Sequence, residues 1–138
     1  MKPSTVFRIS LCLAVFAFVG VGAGVGAQAP ASETASQFYM RYLDAFAKAK
    51  RIEDVLPLMS AELNKEVQST PAAERPKMFE FLKMVSGMNT GPKVTKEDRT
   101  VSGATLTVEA TDMEKKRVTG TITVVREGGA WKLAKESW

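Results

Sequence analysis

From Ala35 onward, apolar side chains recur at intervals of three and four: Phe38, Tyr39, Tyr42, Leu43 and Phe46, with Gln37, Arg41, Asp44 and Lys48 between them. That period puts the two sets on opposite faces of a helix. Ser32 offers an N-cap, Glu33 suits the positive helix start, and Lys48, Lys50 and Arg51 suit the negative end. The spacing predicts a helix of about four to five turns. A second helical region covers Ile52 to Ser69, where Ile52, Val55, Leu56, Met59 and Leu63 can share a face and Pro57 forces a break or a restart. A third begins at Thr70-Pro71 or only at Pro76. It carries the stripe Met78, Phe81, Leu82, Val85 and Met88 and ends at Gly87 and Gly91-Pro92.

Beyond Pro92 the period changes to two. Ala104, Leu106, Val108 and Ala110 alternate with Thr105, Thr107, Glu109 and Thr111, and Val118, Gly120, Ile122 and Val124 alternate with Thr119, Thr121, Thr123 and Val125. Dense Thr and Val favour strands. Gly128-Gly129 reads as a two-residue primed turn, which pairs Glu127 with Ala130, Arg126 with Trp131 and Val124 with Leu133. Continued without interruption, that register sets Thr123 opposite Ala134 and Thr121 opposite Glu136. It sends Lys132, Ala134, Glu136 and Trp138 to the Thr-rich face. The first strand, about Lys93 to Val101, needs a bulge, because Val94 and Val101 have opposite parity; Glu97 points inward or outward according to its position. Helices followed by a four-stranded antiparallel meander make the fold class α+β, with the N-terminal helices packed on one face of the sheet.

Residues 1–27 do not fit this pattern. Lys2 and Arg8 precede an uncharged stretch, nearly all apolar from Leu11 to Val21, and Val25-Gly26-Ala27 supplies a small-x-small end before Gln28. This predicts a signal peptide over 1–27, a linker over 28–32 and a single domain over 33–138. The expected location is periplasmic or extracellular, with no membrane attachment after cleavage. The 138-residue chain has one Cys and no His. The missing His removes the commonest general base and neutral metal ligand, and loss of Cys12 with the leader leaves no thiol. Losing Lys2 and Arg8 from 19 basic residues leaves 17 against 15 acidic, a net +2 that gives little reason to expect nucleic-acid binding. No phosphate loop, zinc spacing, calcium loop or nucleophile elbow is visible, so neither metal nor cofactor is expected.

The helix around Phe38-Tyr39-Met40-Arg41-Tyr42, the helix around Phe81-Leu82-Lys83 and the ending Gly120 to Leu133, with its glycine turn before Trp131-Lys132-Leu133, carry a resemblance. The chain resembles exported bacterial members of the nuclear-transport-factor-two-like superfamily, the cone-shaped α+β fold. The resemblance implies a concave pocket, and it spans isomerases, dehydratases, epoxide hydrolases, transport factors and binding modules, so it does not select an activity.

Candidate pocket residues are Tyr39, Tyr42, Phe46, Met78, Leu82, Val108, Ile122, Arg126 and Trp131. Arg126 offers an anion-binding fork, although a structural role laid over Trp131 is the stronger expectation. A catalytic reading would need a desolvated carboxyl, for which Glu97 and Asp112 are the candidates. Glu109 falls on the Thr face, and Lys115-Lys116-Arg117 reads as a solvated turn. The expectation is therefore an exported, non-enzymatic domain binding a small apolar ligand or a protein partner. The alternative is a small extracytoplasmic enzyme using a pocket carboxylate. A monomer or weak homodimer is expected, any contact including Trp138 on the outer sheet face.

Overall fold

The structure, a computed structural model, describes residues 33–138; the expected leader and linker lie outside the described residues. Helix α1 spans Ala35–Lys48 and is capped by Thr34 rather than Ser32. The Thr34 hydroxyl accepts from Gln37 N–H at 3.1 Å, and the Gln37 side chain accepts from Thr34 N–H at 2.9 Å. This reciprocal box satisfies two of the amide groups that a helix start leaves free. Pro57 has the expected effect: two short 3₁₀ turns, Ile52–Asp54 and Leu56–Leu58, precede α2 at Ala61–Ser69. Helix α3 covers Arg75–Gly87, with Pro76 in its first turn, where the missing N–H costs nothing.

The sheet order is β1-β2-β3-β4, with β1 at Thr90–Arg99, β2 at Gly103–Thr111, β3 at Arg117–Glu127 and β4 at Ala130–Ser137. All neighbours are antiparallel. Gly128 and Gly129 have φ of 59° and 81°, which is what the primed turn requires. The expected pairs Arg126–Trp131 and Val124–Leu133 are present. β1 has its bulge between Val94 and Lys96, and a second irregularity between Thr90 and Lys93.

The register expected for the end of β4 is corrected by a bulge. Past Val124–Leu133 the ladder shifts by one residue, so Thr123 pairs with Lys135, Ile122 with Glu136 and Thr121 with Ser137. A one-residue shift in a strand exchanges its faces. Glu136 and Trp138 therefore leave the outer Thr face and join the concave row of Gly120, Ile122 and Val124. At this point β4 is also engaged on its far side. Met59 bridges to Leu133, and Ser60 N–H donates to Leu133 O at 2.7 Å.

Alpha helix α1 closes the concave face. Phe38, Tyr39, Leu106, Val108, Ile122 and Val124 have no exposed surface. At the start of the described chain, Arg41 forms a two-pronged bond to the buried Glu33, at 2.7 and 2.9 Å, and Trp131 Nε1–H donates to Glu33 O at 2.8 Å. The stripe expected on α3 is corrected as well. Phe79 is its buried residue and Met78 and Leu82 are half-buried, whereas Phe81, Met84, Val85 and Met88 are exposed.

Candidate functional site

The residues expected to line a pocket instead fill the interior. Tyr39 and Tyr42 stack at 6.3 Å, Tyr42 and Phe46 at 5.9 Å, and Phe46 meets Phe79 edge-on at 5.5 Å. With Val108 and Ile122 they form one buried cluster, against which Met78 and Leu82 pack from the side. Trp131 is buried beneath the Arg126 guanidinium, 4.4 Å from the ring centroid, and Arg126 also donates to Gly129 O at 3.0 Å. Arg126 thus braces the hairpin.

Both carboxylates named from the sequence act as caps. The β1 bulge turns Glu97 inward, opposite Leu106, where its Oε2 accepts from Ser36 N–H at 3.0 Å and Ser36 Oγ–H at 2.5 Å. Helix α1 has no acidic residue in its own first turn, and a strand residue supplies the negative charge there. Arg99 Nε–H donates to the other oxygen at 2.8 Å. Partial burial opposes ionisation of Glu97, but the bonds from Ser36 and Arg99 outweigh it and hold the carboxyl below the usual glutamate range. Asp112 closes the β2–β3 turn by accepting from Glu114 and Lys116 N–H at 2.8 and 2.9 Å. Neither group is free to serve as a base. Among the described residues, no cluster of His, Cys, Asp and Glu could hold a metal ion, and no helix is long and apolar enough to cross a membrane.

Glu136 is the carboxyl that parity concealed. Its Oε1 accepts from the buried Tyr39 hydroxyl at 2.7 Å. Burial pushes its pKa up, and the Tyr39 bond only partly offsets this. The same environment acts on the phenols: burial first, then the nearby Glu136 charge, raises both Tyr39 and Tyr42 well above the ordinary tyrosine range. The residue as a whole is still exposed, while its carboxyl reaches inward to the Tyr39 hydroxyl. The detectable signal in the sequence is the run Leu133-Ala134-Lys135-Glu136-Ser137-Trp138, in which neither parity buries a continuous apolar set.

Glu97 and Glu136 give stability opposite slopes with pH. The Glu97 contribution is complete above the ordinary glutamate pKa and is lost as pH falls through the lowered folded value. Glu136 holds its proton more tightly when folded, so stability falls as pH rises from the ordinary to the raised value. In thermal unfolding followed over about pH 3–8, Glu97→Gln should lose part of the acid-side decline. Glu136→Gln should raise the midpoint at neutral pH, because the amide oxygen still accepts from Tyr39 without a buried charge. A lower neutral midpoint for Glu136→Gln would contradict its placement.

An open groove lies elsewhere, between α1 and the edge strand β1. It is broad and open to solvent, offers about 430 Å³ and is lined by Ser36, Gln37, Met40, Pro92, Lys93 and Val94. Met40 lies on the side of α1 away from its buried face and is 44% exposed. A smaller cleft of about 130 Å³ lies between the first 3₁₀ turn and α3, lined by Arg51, Glu53, Arg75 and Phe79 among others. Its charges are largely paired internally, Arg51 with Asp54 and Arg75 with Glu53.

Comparison with protein-family models, with curated proteins and with solved structures finds no match to this chain.

Proposed function

We propose that this is an exported binding domain whose α1–β1 groove takes a small apolar ligand. The observation that carries the reading is the groove itself. Its volume falls within the several-hundred-Å³ range of small-molecule sites, and Met40, Pro92 and Val94 supply apolar lining beside the polar Ser36, Gln37 and Lys93. The closed aromatic interior supports the same choice, because the concave cluster is occupied by the protein's own side chains. The leader pattern of residues 1–27 supports export. The order of helices before a meander sheet supports kinship with the nuclear-transport-factor-two-like superfamily. In this reading the domain works as a monomer or weak dimer with a polar, Thr-rich outer face.

The test is titration with N-phenyl-1-naphthylamine, a neutral probe that brightens in apolar surroundings. Saturable binding is expected. Met40→Glu should weaken it by roughly tenfold or more, since an unpaired carboxylate in an apolar wall forfeits more than about 1.4 kcal/mol. Phe81→Ser, on the exposed face of α3, should leave binding unchanged and controls for adhesion to other apolar surface. Equal binding by the parent and Met40→Glu would remove the groove from consideration.

A further inference from the structure

The mouth of the concave face holds a second arrangement, distinct from the groove. The β4 bulge sets Glu136 opposite Ile122, and the continued register sets Trp138 opposite Gly120. Residues two apart on a strand share a face, so the carboxylate and the indole stand side by side. The indole rests directly on Gly120, where an added Cβ would lie 2.7 Å from the ring atoms Cδ2 and Cε3. Only glycine lets the ring settle there. One side of the indole is thereby covered by the strand, while 48% of the residue remains accessible.

The carboxylate is left unbalanced. One oxygen accepts from Tyr39, and among the described residues no lysine or arginine pairs with Glu136. The adjacent Lys135 is opposite Thr123, in the outer row. A lone carboxylate and a half-exposed indole, with Tyr39 bonded beneath the carboxylate, set negative charge and an electron-rich ring on the same face of the strand. A single carboxylate is too sparse a donor set for a metal ion. It suits an organic ammonium, whose charge meets the carboxylate while its carbon skeleton or its cationic head lies on the ring.

The geometry points to Glu136 and Trp138 as a binding site for an organic ammonium ligand, built by the bulge in β4 and floored by Tyr39 and Gly120. The site is independent of the apolar groove, and either can fail without the other.

The experiment titrates the purified protein with phenethylammonium, with the neutral 2-phenylethanol and with the anionic 3-phenylpropionate, following tryptophan emission and backbone amide shifts. Phenethylammonium should saturate, with shifts centred on Glu136 and Trp138, and the two analogues should bind roughly tenfold or more weakly, a difference of about 1.4 kcal/mol. Glu136→Gln retains the acceptor for Tyr39 and should reduce the cation to the affinity of the neutral analogue. Trp138→Phe should abolish the emission change, and Met40→Glu should leave cation binding intact. The inference is overturned if the cation and the neutral analogue bind alike, if none of the three binds, or if folded Glu136→Gln binds the cation as the parent does.

Discussion

Phe38→Ala is expected to bring the domain close to unfolding. Phe38 has no exposed surface and sits in the first half of α1, against the sheet. Removing a buried phenylalanine loses the transfer free energy of the ring and leaves a cavity that neighbours only partly fill, about 3–5 kcal/mol in comparable cores. The ring also supports Arg41, whose guanidinium lies 5.3 Å from its centroid and holds the buried Glu33. Against a total stability of about 5–15 kcal/mol for a domain of ordinary size, that loss is a large fraction. The thermal midpoint should fall by on the order of 15–25 °C. Phe81→Ala is the matched control. Phe81 is 58% exposed, and its truncation should change stability by less than about 0.5 kcal/mol. A similar loss in both variants would show that α3 buries the stripe its sequence spacing describes.

Gly103→Ala should be the most damaging single-methyl addition in the sheet. An added Cβ at Gly103 would lie 2.2 Å from Val124 O and 3.0 Å from Val125 Cα. Those are backbone atoms of the neighbouring strand, paired in register with Ala104 and Gly103, so no rotamer change can relieve the contact. Gly103 O also accepts from Thr100 N–H at 2.9 Å, and Arg126 N–H donates to Ser102 O at 2.8 Å. The expected loss is about 3 kcal/mol, the upper part of the overpacking range, because the two strands must separate. Chemical denaturation measures the loss, and hydrogen exchange should show the Arg126 amide losing protection first. Gly120→Ala makes the contrast. The nearest atoms to its added methyl belong to the Trp138 ring, a half-exposed side chain that can rotate, rather than to backbone. That variant should keep nearly all its stability and shift the Trp138 emission.

The two glycines show why part of this fold was legible and part was not. Gly128-Gly129 announces itself locally: two adjacent residues able to take positive φ, between alternating strands, define a turn and the register next to it. Helix α1 is equally local, because the spacing of Phe38, Tyr39, Tyr42 and Phe46 matches the turn of a helix whatever surrounds it. Gly103 and Gly120 carry no such message, since what excludes a side chain there comes from another strand. The same holds for the caps. Glu97 serves the start of α1 from 61 residues away, and Glu127 accepts from Ala61 N–H at the start of α2 from 66 residues away.

The candidate site was missed for a related reason. Parity counting runs along one strand and assumes an unbroken ladder, so it sent Glu136 and Trp138 outward. A bulge inserts one residue at a modest local disadvantage, and whether it forms depends on what grips the strand from both sides. Here Met59 and Ser60 engage Leu133 on one edge, while β3 offers Gly120 as a seat for Trp138 on the other. Periodicity likewise groups Phe81 and Val85 on one side of α3 without saying whether any partner covers them. The elements, their order, the hairpin register beside the glycine turn and the α+β class were readable from the chain alone, because helix period, strand alternation and turn conformation are set by neighbours in the chain. Tertiary structure alone decided which carboxyls became caps, which one faced the concave mouth, and that the aromatic residues filled the interior, because burial and pairing belong to atoms brought together only by folding.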